Sequence, residues 1–303
     1  MKSFYRLGFK TVFFFTGISD RKKHRKNQER KNVLVVHEKL QDDVGMNLLT
    51  SHFTSDKKEP LLVDIHGGGW MYGDEHLNLD FGKWYAERGF KVALLNYKTV
   101  FDNNIKAILH QLYDGLLFLR DNAEKYNLDL SKAVLVGDSA GAGLALELLS
   151  VLQSEKLRKV YDLGPLPFPF RGLALYHAAC YPKRMVFVRF PKFMDRGARK
   201  TFLSMYCGKE DDVTLLSLAD FSDYADEVSL LPPTYILTSL GDSFVKYQTD
   251  LLVEDLDKRH LEYTYNCLPD KTFGHVASVL NVDGPKYEKA NEAVLFFLKQ
   301  TIS

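Results

Sequence analysis

One segment constrains the fold of this chain more than any other: a buried strand leads straight into a serine flanked by glycines, and an apolar helix follows. The strand is AVLV at residues 133–136, and the turn is GDSAG at residues 137–141. Leucines and alanines then recur at helical spacing from Leu144 to Leu152. Such a turn needs small neighbours and exposes the serine hydroxyl at the positive end of the helix. The pattern predicts Ser139 as a nucleophile.

Strand and helix patterns alternate along most of the chain. Helical periodicity fills residues 75–88 and 103–126, between short apolar runs that predict strands. This alternation implies a mostly parallel sheet covered by helices on both faces. We therefore expect the 303 residues to form a single domain of the α/β class. The predicted strands are residues 33–36, 46–50, 61–65, 90–96, 133–136, 172–176, 233–238 and 262–266.

Residues 180–230 interrupt the alternation. Their pattern is irregular, and long segments of this kind in α/β proteins usually have a function. We expect an insert that caps the ends of the strands, with an apolar substrate pocket beneath it. Its aromatic residues include Phe187, Phe190, Phe193, Phe202 and Tyr206.

Composition limits the partners and the compartment. The 40 basic residues balance 39 acidic ones, so nucleic acid is not an expected partner. Cys180, Cys207 and Cys267 are odd in number and lack metal-binding spacing, which favours buried structural roles in a reducing compartment. The apolar patch at residues 12–15 is too short to cross a bilayer and is a poor signal peptide. We expect a cytoplasmic protein.

The segment at residues 21–31 is strongly basic. It contains seven Lys or Arg residues and one Glu. A solvated helix beside the core is the expected structure, and contact of residues 1–31 with a membrane surface is the alternative.

A glycine-rich loop lies about 70 residues before the serine. The sequence HGGGW at residues 66–70 directly follows the predicted strand at residues 61–65. Three consecutive glycines are costly to order, but they let backbone N–H groups approach a ligand oxygen. Together with the N–H of Ala140, they would stabilise a tetrahedral oxyanion. A phosphate-binding loop is the alternative, although the Lys-Ser/Thr and GxGxxG patterns are absent.

A catalytic serine needs a base. Of the nine histidines, His177, His260 and His275 follow Ser139 in the sequence. His275 lies in the loop after the last predicted strand, where a base could reach the serine. His260 lies in a charged stretch, and His177 is expected to be structural or to line the acyl pocket.

The base in turn needs an acid that orients it. Asp242 is the candidate, because it follows the predicted strand at residues 233–238 through a short turn. Its competitors Asp250, Asp255 and Asp257 lie on or near the predicted helix at residues 249–258, where surface carboxylates are expected.

The loop at residues 66–70 and the turn at residues 137–141 together resemble those of the hormone-sensitive-lipase-like family of esterases, over roughly residues 35–303. The resemblance implies the α/β-hydrolase fold, with residues 1–32 adding to the cap. At the acid, the family often has a second carboxylate where this chain has Lys246. The site residues that the resemblance implies are the triad Ser139, Asp242 and His275, the oxyanion donors Gly68, Gly69 and Ala140, and Gly67, which shapes the turn.

These features predict a serine carboxylesterase that forms an acyl-enzyme and needs no metal or cofactor. The expected substrate is a small-molecule ester with an apolar group. A catalytically silent ligand-binding protein of the same fold is one alternative, and an amidase or acyltransferase is another.

Overall fold

A sheet of eight strands organises the chain. The computed structural model describes residues 2–24, 27–51, 58–186, 194–208 and 212–303. The strands are β1 (Val33–Lys39), β2 (Gly45–Ser51), β3 (Glu59–Ile65), β4 (Lys91–Leu95), β5 (Leu128–Asp138), β6 (Phe170–Tyr176), β7 (Thr234–Ser239) and β8 (Thr264–Leu268). The helices are α1 (Lys2–His24), α2 (Leu79–Ala86), α3 (Ile105–Asp121), α4 (Ala140–Gln153), α5 (Glu155–Tyr161), α6 (Asp195–Tyr206), α7 (Val213–Ser217), α8 (Phe221–Tyr224), α9 (Lys246–Lys258), α10 (Ala277–Leu280) and α11 (Pro285–Thr301).

The strand order is β1-β2-β4-β3-β5-β6-β7-β8. The pairs β1/β2 and β2/β4 are antiparallel, and the pairs from β4 through β8 are parallel. The predicted α/β-hydrolase architecture, a mostly parallel sheet flanked by helices, is confirmed. Parallel strands place their carboxyl ends on one edge of the sheet, and the loops after β3, β5, β7 and β8 meet there.

Two apolar cores lie on the two faces of the sheet. Along β3, Leu61 and Val63 belong to one core and Leu62 to the other, as expected for a strand buried on both sides. The first core includes apolar residues of α3 and α4, and the second includes those of α2 and α11. Both faces of the central strands are therefore covered, and the site must lie at an edge of the sheet.

Helix boundaries differ from the predicted ones. The helix expected at residues 75–88 begins at Leu79, and the one expected at residues 103–126 runs from Ile105 to Asp121. Asn104 caps the second helix, because its side-chain oxygen accepts a hydrogen bond from the N–H of Ala107.

Helix α1 packs against the insert. The Tyr5 ring lies so close to Gly197 of α6 that a Cβ there would be 2.3 Å from the tyrosine oxygen. Phe202 and Tyr206 of α6 are buried. Phe187, Phe190 and Phe193 lie outside the described residues, so the predicted cap at residues 1–32 and 180–230 stays a prediction.

Two further observations concern the cysteines and the membrane. Cys180 and Cys207 are buried as predicted, whereas Cys267 is only half-buried, and none of the three forms a disulfide. Within the described ranges, no helix combines the length and the apolar character needed to span a bilayer.

Candidate active site

Ser139 occupies the sharp turn between β5 and α4. Its φ of 52° and ψ of −119° are rare for a residue other than glycine. A Cβ on Gly137 would lie 2.5 Å from the carbonyl oxygen of Gly141, and one on Gly141 would lie 2.0 Å from that of Ile65. These approaches require glycine on both sides and fix the serine at the amino-terminal end of α4.

Ser139, His275 and Asp242 form a hydrogen-bonded chain at the carboxyl edge of the sheet. The distance from His275 Nε2 to Ser139 Oγ is 2.9 Å, and that from His275 Nδ1 to Asp242 Oδ2 is 3.0 Å. Because an ionised carboxylate only accepts hydrogen bonds, Nδ1 carries the ring proton. Nε2 is then free to accept the serine proton, as a general base must.

Asp242 is buried and held on both carboxylate oxygens. Oδ1 accepts the N–H groups of Phe244 at 2.9 Å and Val245 at 3.1 Å. Burial alone would raise the pKa of Asp242, but hydrogen bonds from His177 and His275 outweigh it and lower the pKa well below its usual range. The side chain is therefore ionised at neutral pH.

The competing carboxylates have other partners. Asp250 forms an ion pair with Lys246, 2.6 Å away. Lys246 is the residue that stands where the family often has a second carboxylate. Asp255, expected at the surface, is buried and accepts the Tyr181 hydroxyl at 2.7 Å. Asp257 Oδ1 accepts a hydrogen bond from the Tyr263 hydroxyl at 2.6 Å.

The glycine loop follows β3 and lies beside the serine. The N–H of Gly67 donates to Asp138 Oδ1 at 3.0 Å. This hydrogen bond stabilises the loop and occupies the Gly67 donor. Gly68 has a φ of 104°, and a Cβ there would lie 1.8 Å from the carbonyl oxygen of Tyr72. Gly69 also has a positive φ, of 62°. Ala140 begins α4, where the first N–H groups lack intrahelical acceptors.

A buried polar network supports this loop, and the sequence pattern gave none of its members a role. The Asn78 side chain donates to Asp64 Oδ2 at 2.9 Å and to Asp138 Oδ1 at 2.8 Å. Burial and the charge of Asp138 raise the pKa of Asp64 well above its usual value, which favours its neutral form. An aspartate inside the apolar β3 is the one signal of this network in the sequence.

His177 is a further residue whose role sequence reasoning missed. It follows β6 directly and is fully buried. Its Nδ1 lies 2.7 Å from Asp242 Oδ2, the same oxygen that faces His275. The residue was expected to be structural or to line the acyl pocket, and it instead contacts the acid of the hydrogen-bonded chain.

A cavity of about 340 Å³ opens at Ser139. Its lining is mostly apolar and includes His275, Gly68 and Gly69. Helix α1 contributes one wall through Phe9, Val12, Phe13 and Thr16, together with Ser19 and Asp20. The amino-terminal helix thus contacts the same space as the serine hydroxyl.

Two groups of side chains among the described residues have the donor atoms of a metal site. His177, Asp242 and His275 each offer one atom within 4.8 Å of the others, but these atoms already bind one another through hydrogen bonds. The second group is an acidic turn formed by Asp74, Glu75 and His76.

Comparisons with known proteins show which proteins this chain resembles. The BD-FAE family model matches residues 48–162, which include the glycine loop and the serine turn. A probable isoprenylcysteine alpha-carbonyl methylesterase, ICMEL1 of Oryza sativa subsp. japonica, is 30% identical over 201 residues. The putative alpha/beta hydrolase R526 of Acanthamoeba polyphaga mimivirus is 24% identical over 187 residues. These alignments cover 65% and 60% of this chain, and they span about half of the relatives, 46% and 51%.

Among solved structures, esterase B from Lactobacillus rhamnosis superposes with a TM-score of 0.90. The alignment covers 99% of this chain and 96% of that chain, at 23% sequence identity. This similarity supports the fold assigned from the strand order.

Proposed function

We propose that this chain, an α/β hydrolase similar to the hormone-sensitive-lipase-like esterases, is a serine carboxylesterase. The observation that carries the proposal is the chain of hydrogen bonds from Ser139 through His275 to Asp242, at the mouth of a cavity that the glycine loop also lines. Relatives named as esterases add support over the matched part of the chain.

In the proposed reaction, Ser139 Oγ attacks the ester carbonyl carbon while His275 Nε2 takes its proton. Asp242 holds the Nδ1 proton and stabilises the imidazolium that forms. The N–H groups of Gly68, Gly69 and Ala140 bind the oxyanion. The imidazolium then protonates the departing alcohol, which leaves an acyl-enzyme. His275 then deprotonates a water molecule, which attacks the acyl carbon. The bond from the acyl carbon to Ser139 Oγ breaks, the imidazolium returns its proton to Oγ, and the acid is released.

The cavity indicates the substrate class. Phe9, Val12 and Phe13 line it beside Ser139, and its volume is about 340 Å³. An apolar wall next to the nucleophile favours an acyl or alcohol group without charge, and the volume lies at the small end of ligand pockets. We infer a small-molecule ester with a short to medium apolar group.

The hydrogen bonds that join Ser139, His275 and Asp242 favour an enzyme over a silent binding protein, because ligand binding alone does not require a base beside the serine. Amide hydrolysis and acyl transfer use the same groups, and the acceptor or leaving group distinguishes them. Rates on a matched ester and anilide, with and without an added alcohol, separate these activities.

The three unpaired cysteines support a cytoplasmic location.

We extend the proposal to contact between α1 and an anionic lipid surface. Large apolar side chains on the outer side of α1 are exposed, opposite the side that lines the cavity. At about 100° per residue, they fall on one stripe of the helix. Arg30 is buried against Glu87 and Asp283, and the other basic residues of the sequence 21–31 would attract anionic headgroups. The stripe consists of Phe4, Leu7, Phe14 and Phe15.

Vesicle sedimentation tests this contact. We expect the protein to sediment with phosphatidylcholine vesicles that contain phosphatidylglycerol, and Phe14→Glu to weaken that binding. Phe296→Glu is the matched control, because Phe296 is 66% exposed on α11, compared with 62% for Phe14. Equal binding by both variants would contradict the assignment of the surface to α1.

The catalytic proposal is tested by hydrolysis rates on p-nitrophenyl esters of increasing acyl length. We expect turnover on the shorter esters, a decline at long chains that exceed the cavity, and loss of turnover in Ser139→Ala. Folded Ser139→Ala with more than about a tenth of the wild-type rate would contradict it, since triad losses are far larger.

A further inference from the structure

Asp242 Oδ2 accepts hydrogen bonds from two histidines. The distance to His177 Nδ1 is 2.7 Å, shorter than the 3.0 Å to His275 Nδ1. The two rings approach edge to face, with centroids 5.5 Å apart and planes at 82°. A hydrolase triad needs one histidine on its acid, so the second requires its own explanation.

The hydrogen bonds fix the protonation of His177. Its Nδ1 must carry a proton, because the carboxylate oxygen only accepts. Its Nε2 is buried and has no hydrogen-bond partner among the described residues. Burial lowers the pKa of His177, with only partial opposition from Asp242. The ring is therefore a neutral donor, whereas His275 Nε2 is free to exchange a proton with Ser139.

The backbone holds His177 in this place. Its φ of 51° lies in the left-handed region, which a residue with a side chain adopts at an energetic cost. Its N–H donates to the carbonyl oxygen of Leu237 at 2.7 Å, and its ring stacks on Phe273 with planes 11° apart. These contacts from β7 and the loop after β8, together with full burial, hold the ring beside Asp242.

We propose that His177 is a positioning residue, which aims Asp242 Oδ2 at His275 and withdraws part of its negative charge. The inference rests on the proposed function, since it concerns the acid of that triad. A second donor on Oδ2 weakens the hold of Asp242 on the imidazolium, so the base functions at lower pH than it would with an undivided carboxylate. Among the residues that the structure describes, the titratable or charged groups that face His275 are Asp242, His177 and Asp138, and the Phe244 ring packs beside it.

Two substitutions separate the hydrogen bond from the shape of the side chain. His177→Leu removes the donor, whereas His177→Asn keeps an N–H close to the position of Nδ1. For His177→Leu we expect kcat to fall by about tenfold or more with little change in KM, since a hydrogen bond to a charged group is at stake. We also expect the acidic limb of kcat/KM to move up by about half a pH unit or more.

His177→Asn should restore both quantities to within about threefold in rate, because it restores the donor. Unchanged kcat and an unchanged acidic limb in folded His177→Leu would overturn the proposal. Equal loss in both variants would overturn it as well, since the hydrogen bond would then be irrelevant. A phosphonate that labels the active serine gives the fraction of competent sites in each preparation.

Nitrogen-15 histidine spectra of the full-length wild-type protein test the proposal even if a variant fails to fold. We expect His177 to remain neutral, with its proton on Nδ1, near pH 6, where an exposed histidine becomes protonated, because burial opposes its charged form. A His177 that carries its proton on Nε2, or that becomes an imidazolium near pH 6, would overturn the proposal. A wild-type protein that hydrolyses no ester and resists the phosphonate, yet gives the expected His177 spectrum, would refute the esterase assignment alone.

Discussion

Replacing Asp242 by asparagine keeps the shape of the side chain and removes its charge. In the native site the carboxylate accepts four hydrogen bonds, two from histidine rings and two from backbone N–H groups. If the amide oxygen faces the backbone, its NH₂ group meets both rings. His275 must then present an unprotonated Nδ1, and its remaining proton moves to Nε2, which can no longer accept the proton of Ser139.

The same change in a serine protease costs about 10⁴ in kcat, or roughly 5.5 kcal/mol of transition-state stabilisation. We expect a similar loss for Asp242→Asn, because Asp242 Oδ2 faces His275 Nδ1 as the triad acid faces its histidine in that protease. Loss of charge-assisted hydrogen bonds should also cost about 1–3 kcal/mol in the free energy of unfolding.

The assay is kcat on a short p-nitrophenyl ester, with the melting temperature measured on the same preparation. Asp250→Asn is the matched control, since Asp250 is a carboxylate on α9 that pairs with Lys246, and it should stay within about twofold of wild type. Folded Asp242→Asn with a rate within tenfold of wild type would refute the reasoning, whatever the control does.

Three further predictions concern the loop, the cavity and a buried glutamate. Gly68→Ala should lower kcat by about 10²–10³, because the new Cβ displaces an oxyanion donor; unchanged kcat with only a raised KM would make the loop a binding element. Phe13→Ala should shift the preference towards longer acyl chains, because Phe13 lines the cavity, whereas exposed Phe15→Ala should not; identical profiles would exclude this wall from the acyl site. Burial raises the pKa of Glu147 from 4.5 to about 7, so the folded state binds this proton more tightly than the unfolded chain. The melting temperature should therefore fall as the pH rises from 4.5 to about 7, and it should fall less in Glu147→Gln. Equal dependence of the melting temperature on pH in both proteins would contradict this prediction.

The sequence was sufficient for the sheet and the central serine because both depend on local patterns. Apolar runs fitted for burial on two faces identify the strands. Ser139 follows one of them, and only glycine tolerates the contacts at Gly137 and Gly141. The sequence also predicts that His275 and Asp242 lie near Ser139, because loops after parallel strands converge on one edge.

Contacts across the fold were not predictable in the same way. Asn78 precedes α2, and its side chain donates to Asp64 and Asp138, 14 and 60 residues away, rather than to the first turn of the helix. His177 meets Asp242 only because β6 and β7 are neighbours, which depends on strand order. No periodicity within either segment carries that information.

Covalent labelling tests the central claim, that Ser139 is the nucleophile, most directly. The protein is treated with a p-nitrophenyl alkylphosphonate, and the adduct is measured by intact mass and located by peptide mapping. We predict one phosphonyl group per chain, on Ser139, with activity lost in proportion to labelling and no adduct on Ser139→Ala. Labelling at another residue, or full inactivation with Ser139 unmodified, would contradict the account.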